Sequence, residues 1–362
     1  MKVCILALNV QDDNGAGVFT RHLVHGIKEQ IDTVVLTSVP GGDMSHFAYL
    51  GPHKRDLVKN ALRIRACFRE ADIIHALDLY PFGLIAYILS FGLGRPIIIT
   101  AVGSGTLISL YSGITRYIAR HVFRSVRAVT AISTYTKRKA QTASGRGNIE
   151  VITPGVDAEA IRAVASDISP LPYRYMLSVG AIRWRKGYQY SIEAFAKIAE
   201  YVPDLHYVIV GRPYSKEMLS RLEQKIEQLH VKDRVHLLTD VNTESALMSW
   251  YRHAELFVLL SQNVGHDVEG FGLVFLEAAA FGIPVIGSTE CGVEDAVVDG
   301  YNGFLIPERD VEACAKIIRN ICVNHTLHTQ LSGASREWAE RNGWNGKIAA
   351  YMNIYRSVCA NI

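Results

Sequence analysis

The sequence predicts an α/β chain built from two doubly wound parallel-sheet domains that face each other across a cleft. Three observations carry this expectation. Short β-branched runs alternate with longer segments of helical periodicity nearly throughout, as parallel strands joined by crossover helices do. At 362 residues the chain is longer than one core usually serves. The pattern breaks at residues 167–175, "DISPLPYRY", where prolines and a serine interrupt it before a fresh strand begins. The domains are therefore expected at 1–168 and 169–340, with 341–362 forming a final helix that packs back on the first domain.

In chain order, the strands of the first half are "KVCILAL", "DTVVLTS", "DIIHAL", "PIIITAV", "RAVTAIS" and "IEVITPG". The first of these is apolar but short and runs straight into the polar "NVQDDN", so it reads as a strand and not as a signal peptide. The longest apolar stretch, "PFGLIAYILSFGLG", is too short to span a bilayer and fits a buried helix. In the second half the strands are "YMLSVGA", "LHYVIVG", "RVHLLTD", "ELFVLLS", "IPVIGS" and "GFLIP". Helices such as "SKEMLSRLEQKIEQLHV" stand between them with apolar residues at helical spacing. No tandem short repeat is visible.

Apolar residues make up 49% of the chain and charged residues 20%, with a net charge of +3. This is the composition of a globular enzyme, not of a disordered chain or a nucleic-acid coat, and no nucleic-acid partner is expected. The charge is uneven: residues 1–165 hold 19 lysines and arginines against 12 acidic residues, and the remainder 19 against 23. A basic first half suits an anionic surface or acceptor as well as it suits ordinary solvated helices. The six cysteines are scattered without CxxC or zinc spacing, as expected of reduced thiols in a cytoplasmic protein.

Ligands of open α/β sheets bind outside the carboxyl ends of the strands, so the loops after strands are where chemistry is expected. After "YMLSVGA" comes "IRWRKGYQYSIEAF", which gathers Arg183, Arg185 and Lys186 just before Gly187 opens a helix. Cations beside a helix N-terminus make an anion site, because free backbone N–H groups and the dipole add to the side-chain charge. After "ELFVLLS" comes "QNVGHDVEGFG". Gly270 and Gly272 permit close backbone approach, and the helix starting near Leu273 offers a second phosphate-binding end. Glu269 would repel a phosphate and fits better as an acceptor for hydroxyls. Glu277, further into the helix, could accept both hydroxyls of a ribose, as the acidic residue of dinucleotide folds does. Two phosphate devices, a diol acceptor and a hydroxyl acceptor together describe a nucleotide sugar.

The block "EGFGLVFLEAAAFGIPVI" closely resembles the Glu-x7-Glu signature of the retaining glycosyltransferases of family 4, which have the GT-B fold of two Rossmann-like domains. "DNGAGVFTRHLVHGI", "ADIIHALD", "AISTYTKRKA", "VITPGVD", "LSVGAIRWRKG" and "DGYNGFLIP" agree in order, so the resemblance covers nearly the whole chain. It implies that Glu269 contacts the donor sugar and Glu277 the ribose. It implies that the backbone around Gly270, Phe271, Gly272, Leu273 and Val274 holds the diphosphate with Lys186, that Val241 lies where the base is read, and that Gly15 to Gly17 approach the diphosphate and acceptor. The family usually has arginine where this chain has Ala181; Arg183 or Arg185 is expected to supply that charge. Many members also carry a histidine after the fourth strand, where Val102 stands here. Ser104, with the backbone of Gly103 and Gly105, is the nearest polar substitute. His75 and His22 read as structural.

The reaction expected is transfer of a hexosyl group from a UDP- or GDP-linked sugar to an acceptor hydroxyl, with the anomeric configuration retained by family resemblance. No Asp-x-Asp occurs, and neither a divalent metal nor another cofactor is expected. No first-domain carboxylate stands out as a nucleophile, though Asp12, Asp13 and Asp78 are loop carboxylates, so same-face attack assisted by the leaving phosphate is the expectation. A sugar-nucleotide epimerase or phosphorylase on the same fold, and a nonenzymatic nucleotide-sugar-binding member, stay open as alternatives. A dinucleotide oxidoreductase is disfavoured, because "GAG" lacks the rest of the glycine fingerprint. "TRYIARHVFRSVR", with Arg116, Arg120, Arg124 and Arg127 at helical spacing, and "HKRDLVKNALRIRACFR" are basic helices. They suit the anionic inner face of a membrane as well as a solvated surface. The acceptor is therefore expected to be a sugar or a lipid-linked sugar of glycolipid or cell-surface polysaccharide synthesis, with peripheral membrane contact left open.

Overall fold

The computed structural model describes residues 1–11, 15–39, 46–51 and 53–360. The chain divides into two compact units, Met1–Pro154 with Trp344–Ile362, and Gly155–Gly343. Unit 1 runs β1 (Lys2–Ala7), α1 (Gly15–Lys28), β2 (Asp32–Thr37), β3 (His46–Phe47), α2 (Lys54–Glu70), β4 (Ile73–Leu77), α3 (Leu84–Leu89), β5 (Ile97–Ala101), α4 (Ser104–Tyr111), α5 (Arg116–Ser125), β6 (Ala128–Ala131), α6 (Thr134–Ser144) and β7 (Glu150–Val151). Its sheet is parallel, in the order β3-β2-β1-β4-β5-β6-β7.

Unit 2 runs α7 (Ala158–Val164), β8 (Arg174–Val179), α8 (Tyr188–Ile198), β9 (Leu205–Val210), α9 (Lys216–Gln228), β10 (Val235–Leu238), α10 (Glu244–Arg252), β11 (Leu256–Leu259), α11 (Leu273–Ala280), β12 (Val285–Ser288), β13 (Gly303–Ile306), α12 (Val311–Val323) and α13 (His325–Arg341). Its sheet is also parallel, ordered β10-β9-β8-β11-β12-β13. The last helix, α14 (Trp344–Ala360), belongs to unit 1.

The strands read as continuous apolar runs because helices cover both faces of each sheet. Residues Val3–Ala7, Ile73–Ile74 and Leu256–Leu259 are fully buried. Each sheet reverses its strand order once, between β1 and β4 in unit 1 and between β8 and β11 in unit 2. The connections on either side of such a point lead away from each other and leave a crevice at the carboxyl ends of the two strands.

The structure differs from the sequence reading in three places. β3 is two residues long, too short to register as a periodic run. The segment 155–168 packs with unit 2, although the prolines beyond it suggested a boundary at 168. α7 lies against α10 and α11, the Ser249 hydroxyl accepts from the Ser166 amide at 2.8 Å, and Arg162 donates to the Ala280 carbonyl at 3.2 Å. The apolar stretch expected as a buried helix is a π-turn over Leu79–Gly83 followed by the short α3, and it leaves Ile88 64% and Phe91 82% exposed. No helix among the described residues is long and apolar enough to cross a membrane.

α14 is held to unit 1 by a buried polar chain. His75 on β4 is fully buried, with its Nδ1 2.7 Å from the Tyr355 hydroxyl and its Nε2 2.8 Å from Thr100 Oγ1. Thr100 in turn lies 2.7 Å from Thr130. Trp344 stacks on His22 with ring centroids 5.2 Å apart, and a Cβ on Gly26 would sit 2.6 Å from Ile348, so α1 and α14 meet only because that position is glycine. Both histidines thus have structural places.

Burial lowers the His75 pKa from 6.5 to about 3, so the folded imidazole stays neutral where the unfolded one is charged. Over that window the unfolded state binds more protons, and stability falls as pH falls, by about 1.4 kcal/mol per unit below pH ~6. Asp78, raised by burial to about 6, pulls the opposite way between its ordinary value and that one. The signature is therefore expected as a difference: His75→Gln should flatten the acid side of the stability curve relative to the parent protein. Urea unfolding of both proteins from pH 7 to 4.5 measures it, and parallel curves would contradict the assignment.

Candidate active site

The switch point of unit 2 brings together two loops of opposite charge. The loop after β8 turns through Gly180 and a short 3-10 turn, Trp184–Lys186, to Gly187, which caps α8. Gly187 has a φ of +68°, and a Cβ there would lie 1.8 Å from the Leu260 carbonyl oxygen. Only glycine lets this turn press against the end of β11. The Arg185 carbonyl accepts from the Gln262 amide at 2.8 Å, so the two loops are also joined through the backbone. The loop after β11 is held from its other side by the Gly292 amide, which donates to the Glu269 carbonyl at 2.8 Å. A Cβ on Gly292 would lie 2.0 Å from the Gly270 oxygen.

This frame places Lys186 and Arg185 on the Glu269 carboxylate. Lys186 Nζ lies 2.6 Å and Arg185 Nη1 2.8 Å from Glu269 Oε2, and the Ser261 hydroxyl donates to the same oxygen at 3.1 Å. Asp267 Oδ1 stands 3.3 Å from Arg185 Nε. Glu269 and Lys186 are each only 9% exposed. Burial by itself would raise the Glu269 carboxyl, but Lys186 and Arg185 outweigh it and hold the group well below the usual carboxylate range. Glu269 is thus ionised at every physiological pH. With Asp267 counted, the two cations face two carboxylates and the cluster is balanced in charge.

α11 begins with Leu273 and Val274, whose amides lack intrahelical partners. Its cap is Gly272, at a φ of +87°, where a Cβ would lie 2.8 Å from the Phe275 ring. Phe271 is buried and Gly270 partly exposed. Glu277, in the second turn, is partly buried and accepts a 2.8 Å hydrogen bond from the Tyr251 hydroxyl. Burial raises its carboxyl, with the Tyr251 bond acting against the rise.

Arg183 is turned elsewhere. Its guanidinium lies over the Tyr214 ring, 4.5 Å from the centroid, so Arg185 is the arginine that reaches Glu269. Val241 lies in the loop after β10, partly buried, where Arg212 bridges to Asn242 Oδ1 at 3.1 Å. In unit 1, Gly17 lies where a Cβ would meet the Gln11 oxygen at 1.9 Å, whereas Gly15 has open space around its Cβ position. Asp78, beside the same switch point, accepts from the Leu79 amide at 3.0 Å and from the Thr106 hydroxyl. Burial pushes its carboxyl up to about 6 against those bonds. Asp78 and Val102 border a largely apolar pocket of about 570 Å³ with Leu8, Phe19, Leu50 and Tyr80; Ser104, the first residue of α4, does not line it. Asp12 and Asp13 lie outside the described residues.

Ser261, Tyr251 and Thr106 were not singled out in the sequence. Ser261 stands two residues after β11, so the loop-after-strand rule reaches it; Tyr251, on a helix 26 residues before Glu277, carries no local signal. Among the described residues no group of three or more His, Cys, Asp or Glu is placed to hold a metal ion.

Two doubly wound parallel-sheet units belong to the GT-B class, and solved structures of that class match nearly the entire chain. A sucrose-phosphate synthase from Thermosynechococcus elongatus superposes with a TM-score of 0.83 at 19% identity, covering 100% of both chains. Anabaena HepE, solved in complex with UDP and glucose, gives 0.81 at 18% identity, covering 99% of this chain and 100% of that one. The family model for Glycosyltransferase Family 4 matches residues 13–160, and that for Glycosyl transferases group 1 matches residues 164–338. The chain belongs to glycosyltransferase family 4, with the GT-B fold.

Among sequence relatives, the GDP-mannose-dependent alpha-(1-6)-phosphatidylinositol monomannoside mannosyltransferase of Mycobacterium tuberculosis is 28% identical over 62% of this chain and 60% of that protein. The D-inositol 3-phosphate glycosyltransferase of Streptomyces avermitilis is 29% identical over 58% of this chain and 47% of that protein. The chain thus matches less than two thirds of the length of these relatives.

The pairing at Glu269 has a measurable cost when cut. Lys186→Met leaves the buried carboxylate with one cation and is expected to destabilise the protein by about 3 kcal/mol. Adding Glu269→Leu should recover part of this, with a coupling of about 0.5–3 kcal/mol in a double-mutant cycle followed by urea unfolding. Purely additive costs would show that the two charges do not act on each other.

Proposed function

We propose that the protein transfers a hexosyl group from a nucleoside diphosphate sugar, UDP- or GDP-linked, to an acceptor hydroxyl. The observation that carries this reading is the meeting of Lys186, Arg185 and Glu269 at the switch point between β8 and β11, with Glu269 four residues before α11 in the chain. A diphosphate there would meet two cations and free helix amides, while the carboxylates of Glu269 and Glu277 remain as acceptors for sugar and ribose hydroxyls. As the bond to the anomeric carbon breaks, negative charge grows on the leaving diphosphate. Lys186, Arg185 and the amides of Leu273 and Val274 would stabilise it. These groups do the work asked of a divalent cation in other transferases, so the reaction is proposed to run without one. Retention of configuration is proposed through same-face attack by the acceptor hydroxyl, deprotonated by the leaving phosphate. The printed GDP-mannose donor of the mycobacterial relative and the UDP and glucose bound to Anabaena HepE support a nucleotide-sugar donor. The lipid acceptor named for the former supports a lipid-linked or sugar acceptor, in glycolipid or cell-surface polysaccharide synthesis.

A thermal-shift panel of UDP-, GDP- and ADP-sugars tests the donor site. One nucleotide is expected to raise the unfolding midpoint by mass action, about 2.7 kcal/mol of stabilisation at a hundredfold excess over Kd. Glu277→Ala should abolish the shift. No shift with any nucleotide in folded protein would favour a nonenzymatic member of the family. Transfer with the stabilising donor should proceed at an unchanged rate in EDTA; loss of rate would overturn metal independence.

A further inference from the structure

Between Asp78 and Glu150 the chain carries nine lysines and arginines and no acidic residue. Four of the nine donate to backbone carbonyls: Arg146 to Phe123, Arg124 and Val126, Arg95 to Arg69, Arg120 to Leu110, and Arg124, through Nε, to Arg120. On α5, the stripe Ala119, Val122 and Phe123 is buried. The outer side carries apolar residues too, with Tyr117 60% and Ile118 58% exposed beside His121, Arg124 and Ser125, and Ile114 just before the helix 87% exposed. The cations Arg116, Arg120 and Arg124 flank this outer stripe.

The exposed apolar positions continue onto the neighbouring helices. α3 packs against both α5 and α2. The Tyr87 hydroxyl lies 3.0 Å from His121 Nε2, joining α3 to α5, and Ile88 beside it is 64% exposed. Arg65 on α2 donates at 2.8 Å to the Leu89 and Phe91 carbonyls, and Phe91 is 82% exposed. One and two turns before Arg65 stand Leu62 and Val58, 83% and 79% exposed, among the exposed Arg55, Lys59 and Arg63. Single exposed apolar residues need no explanation, but seven on or beside three adjoining helices do.

A solvated surface would mix both signs of charge and spare the isoleucines; a nucleic-acid surface would not need them. Aliphatic and aromatic tips among cations, with Asp56 and Glu70 on α2 and no acid on α3 or α5, match the interface of a bilayer, where the tips enter the headgroup boundary and the cations meet phosphates. We propose that the α2–α3–α5 face of unit 1 docks on an anionic lipid bilayer, with Phe91, Ile114, Tyr117 and Ile118 entering it and Arg116 and Arg124 meeting its phosphates. The docking is independent of sugar transfer and needs neither donor nor acceptor.

Co-sedimentation of the full chain with vesicles tests it, using phosphatidylcholine alone and phosphatidylcholine with about one third phosphatidylglycerol. The protein is expected on the anionic vesicles and not on the neutral ones. Arg116→Gln and Arg124→Gln should each weaken retention about fivefold, and Ile114→Ser/Ile118→Ser about tenfold. All these side chains are surface groups, so the variants should keep the parent's unfolding midpoint. Val323→Ser, on an exposed site of unit 2, should retain full binding. Absence of retention at low ionic strength would overturn the proposal, as would an equal loss in Val323→Ser. Retention that Ile114→Ser/Ile118→Ser leaves unchanged would mark a face for any polyanion, nucleic acid included, and would overturn it too.

Discussion

The arrangement at the candidate site depends on one buried carboxylate. Glu269 can be ionised among apolar neighbours only because Lys186 and Arg185 close on it, and they can close only because Gly187 lets their turn lie against the end of β11. Remove the glycine and the cations move away; remove a cation and the carboxylate is stranded. A buried ion pair is weak evidence of stability in itself, since desolvation offsets most of the attraction. Its worth here is positional. It stores two cations and an acceptor within bonding distance of one another, beside the free amides of a helix, in a place that apolar residues could fill more cheaply.

Much of this was legible in the residues. Strands buried on both faces must be apolar without alternation, so twelve of them stood out against the helical periodicity, and parallel sheets followed. The Gly-x-Gly turn with a carboxylate on each side marked the candidate loop, because glycine is needed where backbone meets ligand or neighbour. What stayed hidden was set by contacts far apart in the chain. Lys186 and Glu269 are 83 residues apart, and nothing local says that they pair. Nor does the order Arg183, Arg185, Lys186 say which arginine turns inward; Tyr214 takes the first and Glu269 the second. The boundary at 168 misled for a related reason. Prolines mark where regular structure stops, whereas a unit ends where packing stops, and α7 packs onwards.

The two units handle buried titratable groups differently. In unit 2 charge is kept and compensated, with cations facing a carboxylate. In unit 1 charge is suppressed: His75 is held neutral among hydroxyls, and Asp78 is drawn towards its protonated form beside an apolar pocket. A largely apolar pocket and a charged loop select different chemistry.

The two passages of the chain between the units have a consequence for how the molecule is made. Unit 2 is one continuous segment, but unit 1 lacks α14 until the residues after Gly343 have been synthesised. The side chains waiting for it are specific: His75 and Thr100 without Tyr355 and Tyr351, His22 and Phe19 without Trp344. The half of the protein that leaves the ribosome first is therefore the half completed last. During that interval the face that α14 covers, with the His75 imidazole bonded to Thr100 but not to Tyr355, stays open to water and to other nascent chains.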